Sequence, residues 1–448
     1  MVFISAQPDD IYFIWQLELQ LRNFHSFGIS KKEIHIIIGH NPIVGLKSEF
    51  QQFIQDNKDL ALFFPYPDTR KEPSYLSSIR PHLLEKHWKN NPELKDKTIF
   101  YHDSDVLFTR KMKIKNILNN TINYVSNTKH YLDSKYIISH SNKKTFQKMC
   151  KVIGISAKKI YKNDNNTGGA QYILKNIDEH FWKKVYDDSE NIFKLLSDFN
   201  KEEKQKSIID TNYKPKEIQG WCSDMWSILW NLLYFKQKVQ VHSELDFSWP
   251  TDNISYWKKK AIHHYAGEHE NKNLFFYKRD YIHYSPWYDQ KLYSIPNTNC
   301  SYPVVQLIKN RTKELSQKQS PLKNISFNFN KNNLEIKRYI NSHFSFEENR
   351  CVIKRQIIEL GNHKLIIQPQ SIQKIDFLFE TKKVNKIHFQ NVFKIDQIFT
   401  DLFLKTLNHS ILTINIKKFT KHNKLIVDIK NKNGNDILEI IDDVFLLL

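Results

Sequence analysis

Thr98-Ile99-Phe100-Tyr101-His102-Asp103-Ser104-Asp105 is the stretch that decides how this chain reads. An apolar, β-branched and aromatic run predicts a buried strand, and it ends at once on two carboxylates. In extended backbone, residues i and i+2 project to the same side, so Asp103 and Asp105 are expected to face one cation. Their hard oxygens suit Mg²⁺ or Mn²⁺, which keep open positions for phosphate oxygens. A solvated acidic turn is the plainer account of an Asp-x-Asp. Its position directly at a strand end favours the metal.

Working upstream, Val2 to Ala6, Ile34 to Gly39 and Leu60 to Phe64 read as three more strands. Between them, Ile11, Ile14, Leu17, Leu21 and Phe24 recur at helical spacing, and Ser74 to Trp88 reads as a helix interrupted by Pro81. This alternation predicts an α/β fold with a parallel sheet covered on both faces. Ligands of such sheets bind beyond the carboxyl ends of the strands, where the Asp-Ser-Asp segment falls.

Downstream, Lys143 to Val152, Asp178 to Phe199 and Trp221 to Phe235 read as helices, and Ala261 to Ala266 as a short strand. Asn163 to Ala170, with the only glycine pair at Gly168-Gly169, reads as a turn-rich loop, and Lys201 to Lys216 as a charged, exposed stretch. After about residue 290 the pattern changes. Pro296, Pro303 and Pro321 punctuate a polar connector, and from Ile325 onward short alternating runs such as Ile411 to Ile416 predominate. The expected organisation is a catalytic domain over 1–295, a connector over 296–320 and a smaller β-rich domain, a sandwich, over 321–448.

Composition narrows the function. The 448 residues are 40% hydrophobic, enough for a sizeable core, and 67 Lys and Arg against 48 acids give a formal charge of +19. That excess suits an anionic partner, although a coding bias toward Lys, Asn and Ile would produce it as well. The four cysteines, Cys150, Cys222, Cys300 and Cys351, form no ligand cluster and read as thiols of a reducing compartment. No signal peptide is recognisable, and no apolar run reaches the ~20 residues a bilayer span needs. A cytoplasmic protein is expected, at most peripheral to the inner face of a membrane.

With ten glycines the chain has neither GxxxxGK[ST] nor GxGxxG. A nucleotide diphosphate would therefore need a carboxylate-held cation to neutralise it. His263-His264-Tyr265-Ala266-Gly267 offers a third ligand, with His264 preferred to His263, and an imidazole tilts the choice toward Mn²⁺. In Gly220-Trp221-Cys222-Ser223-Asp224-Met225-Trp226, Asp224 is either a first-turn acid favoured by the helix dipole or a carboxylate facing a hydroxyl acceptor as general base. Trp221 and Trp226 beside it have faces on which sugars can stack. Gly168-Gly169 would let backbone approach a sugar. Lys278, Arg279 and Arg80 are candidate diphosphate contacts.

At these residues the chain resembles GT-A glycosyltransferases, including the glycogenin-like ones, which pair a D-x-D with a downstream H-x-x-G, here His264 to Gly267. Trp15-Gln16, Gly220-Trp221 with Asp224-Met225-Trp226, Ile262 to Tyr265 and Tyr277-Lys278-Arg279 are similar to hydroxyproline O-arabinosyltransferases and peptidyl-serine galactosyltransferases. Those families carry Glu in place of Asp224 and Asp in place of Tyr277. The resemblance covers about residues 1–290. It implies a Rossmann-like GT-A domain, Mn²⁺ (or Mg²⁺) held by Asp103, Asp105 and His264, and a UDP-hexose donor such as UDP-galactose. It further implies a hydroxyl acceptor met by Trp221 and Trp226 in surface-glycan synthesis, with Asp224 catalytic. Donor contacts are expected from Ser5, Gln7, Arg80, Asp103, Ser104, Gly168, Gly169, Lys278 and Arg279.

Three other readings compete, and the third, a catalytically inactive glycan-binding protein, is opposed by the intact Asp-x-Asp and His264. A sugar nucleotidyltransferase also uses paired Asp at a sheet edge, but Ser5-Ala6-Gln7-Pro8 offers no phosphate loop. A basic nucleic-acid-binding protein would match the charge, yet no binding signature accompanies it and the basic residues are dispersed. No nucleic-acid partner is expected.

Overall fold

A computed structural model describes residues 1–267, 271, 274–282, 285–287 and 290–318, and strands between 322 and 446. The chain divides into two compact units, Met1–Glu270 with Asn297–Ser301, and Asn271–Pro296 with Tyr302–Leu448.

The first unit is α/β. Its strands are β1 (Val2–Pro8), β2 (Ile34–His40), β3 (Leu62–Pro67), β4 (Ile99–Tyr101), β5 (Val106–Phe108), β6 (Asn123–Asn127), β7 (Gly168–Leu174), β8 (Val239–Val241), β9 (Phe247–Ser248) and β10 (Ile262–His264). Its helices are α1 (Ile11–Ser26), α2 (Ser48–Asn57), α3 (Ile79–Asn90), α4 (Lys115–Leu118), α5 (Lys129–Leu132), α6 (Ser134–His140), α7 (Lys143–Ile153), α8 (Ala157–Asn163), α9 (Glu179–Ile209), α10 (Ser223–Tyr234) and α11 (Ile254–Lys259). Seven strands form the central sheet in the order β3-β2-β1-β4-β7-β6-β8.

The four strands nearest the N-terminus run parallel, as the alternation predicted. The parallel arrangement is interrupted at β7, which is antiparallel to both β4 and β6. A second sheet, β5-β10-β9, pairs β10 antiparallel to β5 and sets His264 opposite Val106.

Period-two alternation sorts the core onto the two faces of the sheet. Ile4, Ile37, Ile99, Tyr101, Tyr172 and Leu174 pack with α3, α7, α9 and α10. Phe3, Ile36, Ile38, Phe100 and Ile173 pack with α1, α2 and the small sheet.

Three local expectations differ from the structure. Pro81 lies in the first turn of α3, where its missing N–H leaves no helical bond unmade, so it does not interrupt the helix. Gly168-Gly169 opens β7 and is not part of a loop. The helix expected to end near Phe199 continues to Ile209 and takes up half of the stretch read as exposed, with Glu203 buried.

In the second unit, much of the expected connector is the helix Ser301–Lys318. Beyond it the strands pair antiparallel in sheets of five, four and two. The expected sandwich packing concerns side chains outside the described residues. Among the described residues no helix is long and apolar enough to cross a membrane.

Candidate active site

The chain leaves β4 at Tyr101 and turns before entering β5 at Val106. Asp103 and Asp105 therefore sit in a turn between two sheets, and extended-strand projection is not what aligns them. Helix α1 shapes the turn instead. Gln20 Nε2 donates to the carbonyls of Asp103 (2.8 Å) and Val106 (3.1 Å), and Ser104 Oγ donates to Gln16 Oε1 at 2.9 Å. Asn23 completes the clamp by pairing with both backbone groups of Phe108. Gln16, Gln20 and Asn23 stand at i, i+4 and i+7, one polar stripe on a buried helix face. Gln16 entered the sequence reading only through the Trp15-Gln16 resemblance, and Gln20 and Asn23 were missed, since only polarity at buried positions could have flagged them. Ser104, expected to touch the donor, spends its hydroxyl on this clamp and is buried.

His264 arrives from the other direction, at the end of β10. The β10–β5 register and the bond from Tyr265 N to Asp105 O (3.2 Å) set its ring against the turn. Its Nε2 is 3.0 Å from Asp105 Oδ1 and 3.7 Å from Asp103 Oδ2. One ligand atom from each of Asp103, Asp105 and His264 lies within 4.8 Å of the others. His263 points away, to Ser248 Oγ at 2.9 Å.

These residues fit a divalent cation by a test that does not involve the carboxylates. Gln171 Nε2 lies 3.1 Å from His264 Nδ1, and Gln171 Oε1 is buried without a partner. A half-turn of this amide would let Oε1 accept from Nδ1–H and free the Nε2 lone pair for a metal, the usual arrangement behind a metal-bound histidine. A bulge aims Gln171 at the ring. The β6–β7 register shifts between Val125 and Ser126, and Ala170 there has φ 69, a backbone region seldom used by a residue with a side chain.

On the other side of Asp103 stands Arg80, delivered by the first turn of α3. Its Nη1 pairs with Asp103 Oδ1, and its Nη2 with Asp224 Oδ2 at 2.6 Å. Burial opposes the charge on Arg80, but Asp224 and Asp103 outweigh it and hold its pKa well above the ordinary value. Asp224 is itself 3% exposed. Burial pushes its carboxyl up, while Arg80 and Tyr75 pull it down. The Tyr75 hydroxyl lies 2.7 Å from Asp224 Oδ1 and 2.5 Å from Trp221 O, so two acceptors compete for one proton. Glu190 fixes the loop carrying Tyr75 by accepting from Ser74 N, Tyr75 N and Ser78 Oγ.

Both oxygens of Asp224 are thus engaged, and the carboxylate expected to face an acceptor instead orients Arg80. Trp226 is likewise corrected. It is fully buried with its indole N–H on Leu132 O, and it presents no face to a sugar. Trp221 is 54% exposed, with its ring 6.1 Å from that of Tyr131.

Ser5 and Gln7 lie on the carboxyl half of β1. Ser5 Oγ and Gln7 Oε1 are buried without partners, while Gln7 Nε2 donates to Ile37 O. The glycine pair is required by the protein's own packing. A Cβ at Gly168 would clash with Ser126 O, and one at Gly169 would meet Met225 Cε and Tyr172 Oη at 2.8 Å. Lys278 and Arg279 fall in the short helical turn Lys278–Tyr281 of the second unit.

No family model matches the sequence, and no curated protein matches it either. Distantly similar solved structures include the following three. The bifunctional glycosyltransferase WbbM, in apo form, is 12% identical at a TM-score of 0.35, over 69% of this chain and 51% of that one. An active-site mutant of LgtC is 12% identical at 0.33, over 69% and 96%. Mouse xyloside xylosyltransferase 1, in apo form, is 9% identical at 0.30, over 59% and 96%. The chain spans about half the length of WbbM.

Proposed function

We propose that this chain is a glycosyltransferase that takes its sugar from a nucleotide-sugar donor with the help of a divalent cation. The observation that carries the reading is the convergence of Asp103, Asp105 and His264 on one point beyond the carboxyl ends of β1 and β4. Two carboxylates and a neutral imidazole would hold Mn²⁺ or Mg²⁺, with Mn²⁺ favoured by the nitrogen ligand. Such a cation neutralises a diphosphate and eases its departure.

The protein's own groups supply the rest. Ser5 and Gln7 keep buried polar atoms without partners, suited to hydrogen-bond a nucleobase or ribose along β1. Arg80, fixed by Asp224 and Tyr75, presents a permanent positive charge beside Asp103 for the donor's sugar or phosphate. The half-exposed Trp221, leaning on Tyr131, offers a stacking face to a hydroxyl-bearing acceptor. A UDP-hexose, UDP-galactose first, is the donor to test, and a catalytic region over 1–295 followed by a separable β-rich region over 321–448 is the organisation proposed.

Incubation with a panel of nucleotide sugars should release nucleoside diphosphate in the presence of Mn²⁺ and not with EDTA. Pyrophosphate release from a nucleoside triphosphate and a sugar phosphate would reassign the site to nucleotidyl transfer. Donor binding unchanged by EDTA would remove the metal from the account.

A further inference from the structure

Residues 128–167, which connect β6 to β7 through α5, α6, α7 and α8, carry nine lysines, no arginine and two acids, in a chain whose overall ratio of basic to acidic residues is 67 to 48. Of the two acids, Asp133 caps α6 by accepting from Tyr136 N at 2.7 Å, and Asp164 accepts from Ser134 N and Oγ. Helix α7 turns Phe146, Met149, Cys150 and Ile153 inward, which leaves Lys143, Lys144, Lys148 and Lys151 on the exposed side. Helix α8 buries Ile160 and exposes Lys158, Tyr161 and Lys162. Lys129 and Lys159 are tied to Asn165 and to the Leu233 carbonyl. The remaining seven lysines are exposed, and none pairs with a carboxylate among the described residues.

Aromatic side chains edge this face. The Lys159–Leu233 bond brings the end of α10 against α8, and a Cβ at Gly154 would stand 3.3 Å from the Tyr234 ring. Tyr234 is 43% exposed, Phe235 40% and Tyr161 48%. Lys236 and Lys238 follow directly and are exposed as well.

We infer that this face docks the protein on an anionic lipid bilayer. Exposed lysines spread over several helices, with none set in a pocket, suit the diffuse negative field of many headgroups. Half-exposed Tyr and Phe at the edge are the residues that settle at a membrane–water interface. Each lysine near such a surface contributes a factor of roughly five in binding, so three contribute about 100-fold. The inference does not depend on the transfer reaction proposed above.

Co-sedimentation of the full chain with phosphatidylcholine vesicles, with and without about a third of phosphatidylglycerol, tests it. Binding is expected only with the anionic lipid and should weaken as added salt screens the lysines. Replacing Lys151, Lys158 and Lys162 together by Glu should lower binding about 100-fold or more. The same change at the exposed Lys95 and Lys97 should leave it within about twofold. The pair Tyr161→Ala and Phe235→Ala should cost about tenfold. Melting curves identify any variant that misfolds, and the Lys→Gln triple then takes the place of the Glu triple. Equal binding to both vesicles, or a triple variant that binds like the parent, overturns the inference. Tighter retention on an immobilised anionic polysaccharide than on vesicles of matched charge overturns it in favour of a glycan partner.

Discussion

Two groups of polar side chains, one within the central sheet and one beyond its strand ends, use histidine in opposite ways. Within the sheet's body, His35 of β2 faces His87 of α3, with Nδ1 and Nε2 3.0 Å apart. Tyr66 Oη and Asn91 Nδ2 stand 3.0 and 3.2 Å from the other His87 nitrogen, and the Phe64 ring packs on both imidazoles. Burial lowers the pKa of His35 to about 4 and that of His87 to about 3. No carboxylate hydrogen-bonds either ring among the described residues. Beyond the strand ends, His264 meets two carboxylates, and a third carboxylate holds the neighbouring arginine. The first cluster is neutral and closed. The second gathers charges whose mutual cost makes sense if a cation and an anionic ligand complete it.

The largest test of that contrast is Asp105→Ala. It should abolish the rise in melting temperature that Mn²⁺ produces and reduce donor turnover by at least about 100-fold. Calorimetry with Mn²⁺ reads it directly, and undiminished metal binding would erase the distinction between the clusters. Next is Asp224→Asn, which leaves Arg80 paired through Nη1 alone. An effect of roughly 2–3 kcal/mol on stability is expected. A fall of about 10²-fold in kcat should accompany it, as when one charge-stabilising group is lost. A general base at this position would instead slow turnover with the melting temperature intact.

Gln171→Leu sharpens the comparison further. It keeps the metal ligands and removes only the group that orients His264, so Mn²⁺ affinity should fall ~10–100-fold without loss of fold. Affinity equal to the parent's would make Gln171 a packing residue.

The smallest effect on activity belongs to the closed cluster. His35→Val with His87→Leu should leave turnover at pH 7 within about twofold. What changes is the acid sensitivity of the fold. Both imidazoles titrate lower in the folded chain than at the ordinary 6.5, so on acidification the unfolded chain takes up protons first. Their stabilising contribution is complete above about pH 6.5 and is lost as pH falls from there toward 4, by on the order of 3 kcal/mol for His35 alone. The double variant should therefore lose less melting temperature than the parent between pH 7 and pH 5. An unchanged slope would place the acid sensitivity elsewhere.

What the sequence alone determined is local. Periodicity told strand from helix through the N-terminal half because burial on one face leaves a repeat of two or of 3.6 in the residues themselves. The apolar run ending on Asp103 and Asp105 was legible for the same reason, and the short apolar strand before His264 made that residue a candidate. Where local signals have two meanings, the reading went astray. A glycine pair looks alike in a loop and in a strand crowded by Ser126 and Met225, and Pro81 breaks a helix only after its first turn. The partners of the site were decided by tertiary structure alone. His264 meets Asp105 across 159 positions of chain, and Tyr75 meets Asp224 across 149. Such contacts depend on strand register and on a bulge at Ala170, neither of which has a sequence period, and on which turn the periodic polar stripe of α1 comes to face. Asp224 reads from sequence either as a first-turn acid or as a carboxylate facing an acceptor, and only the folded packing around it shows both oxygens taken by Arg80 and Tyr75. Periodicity records which face of an element is buried, whereas the chemistry of a site depends on which buried faces meet.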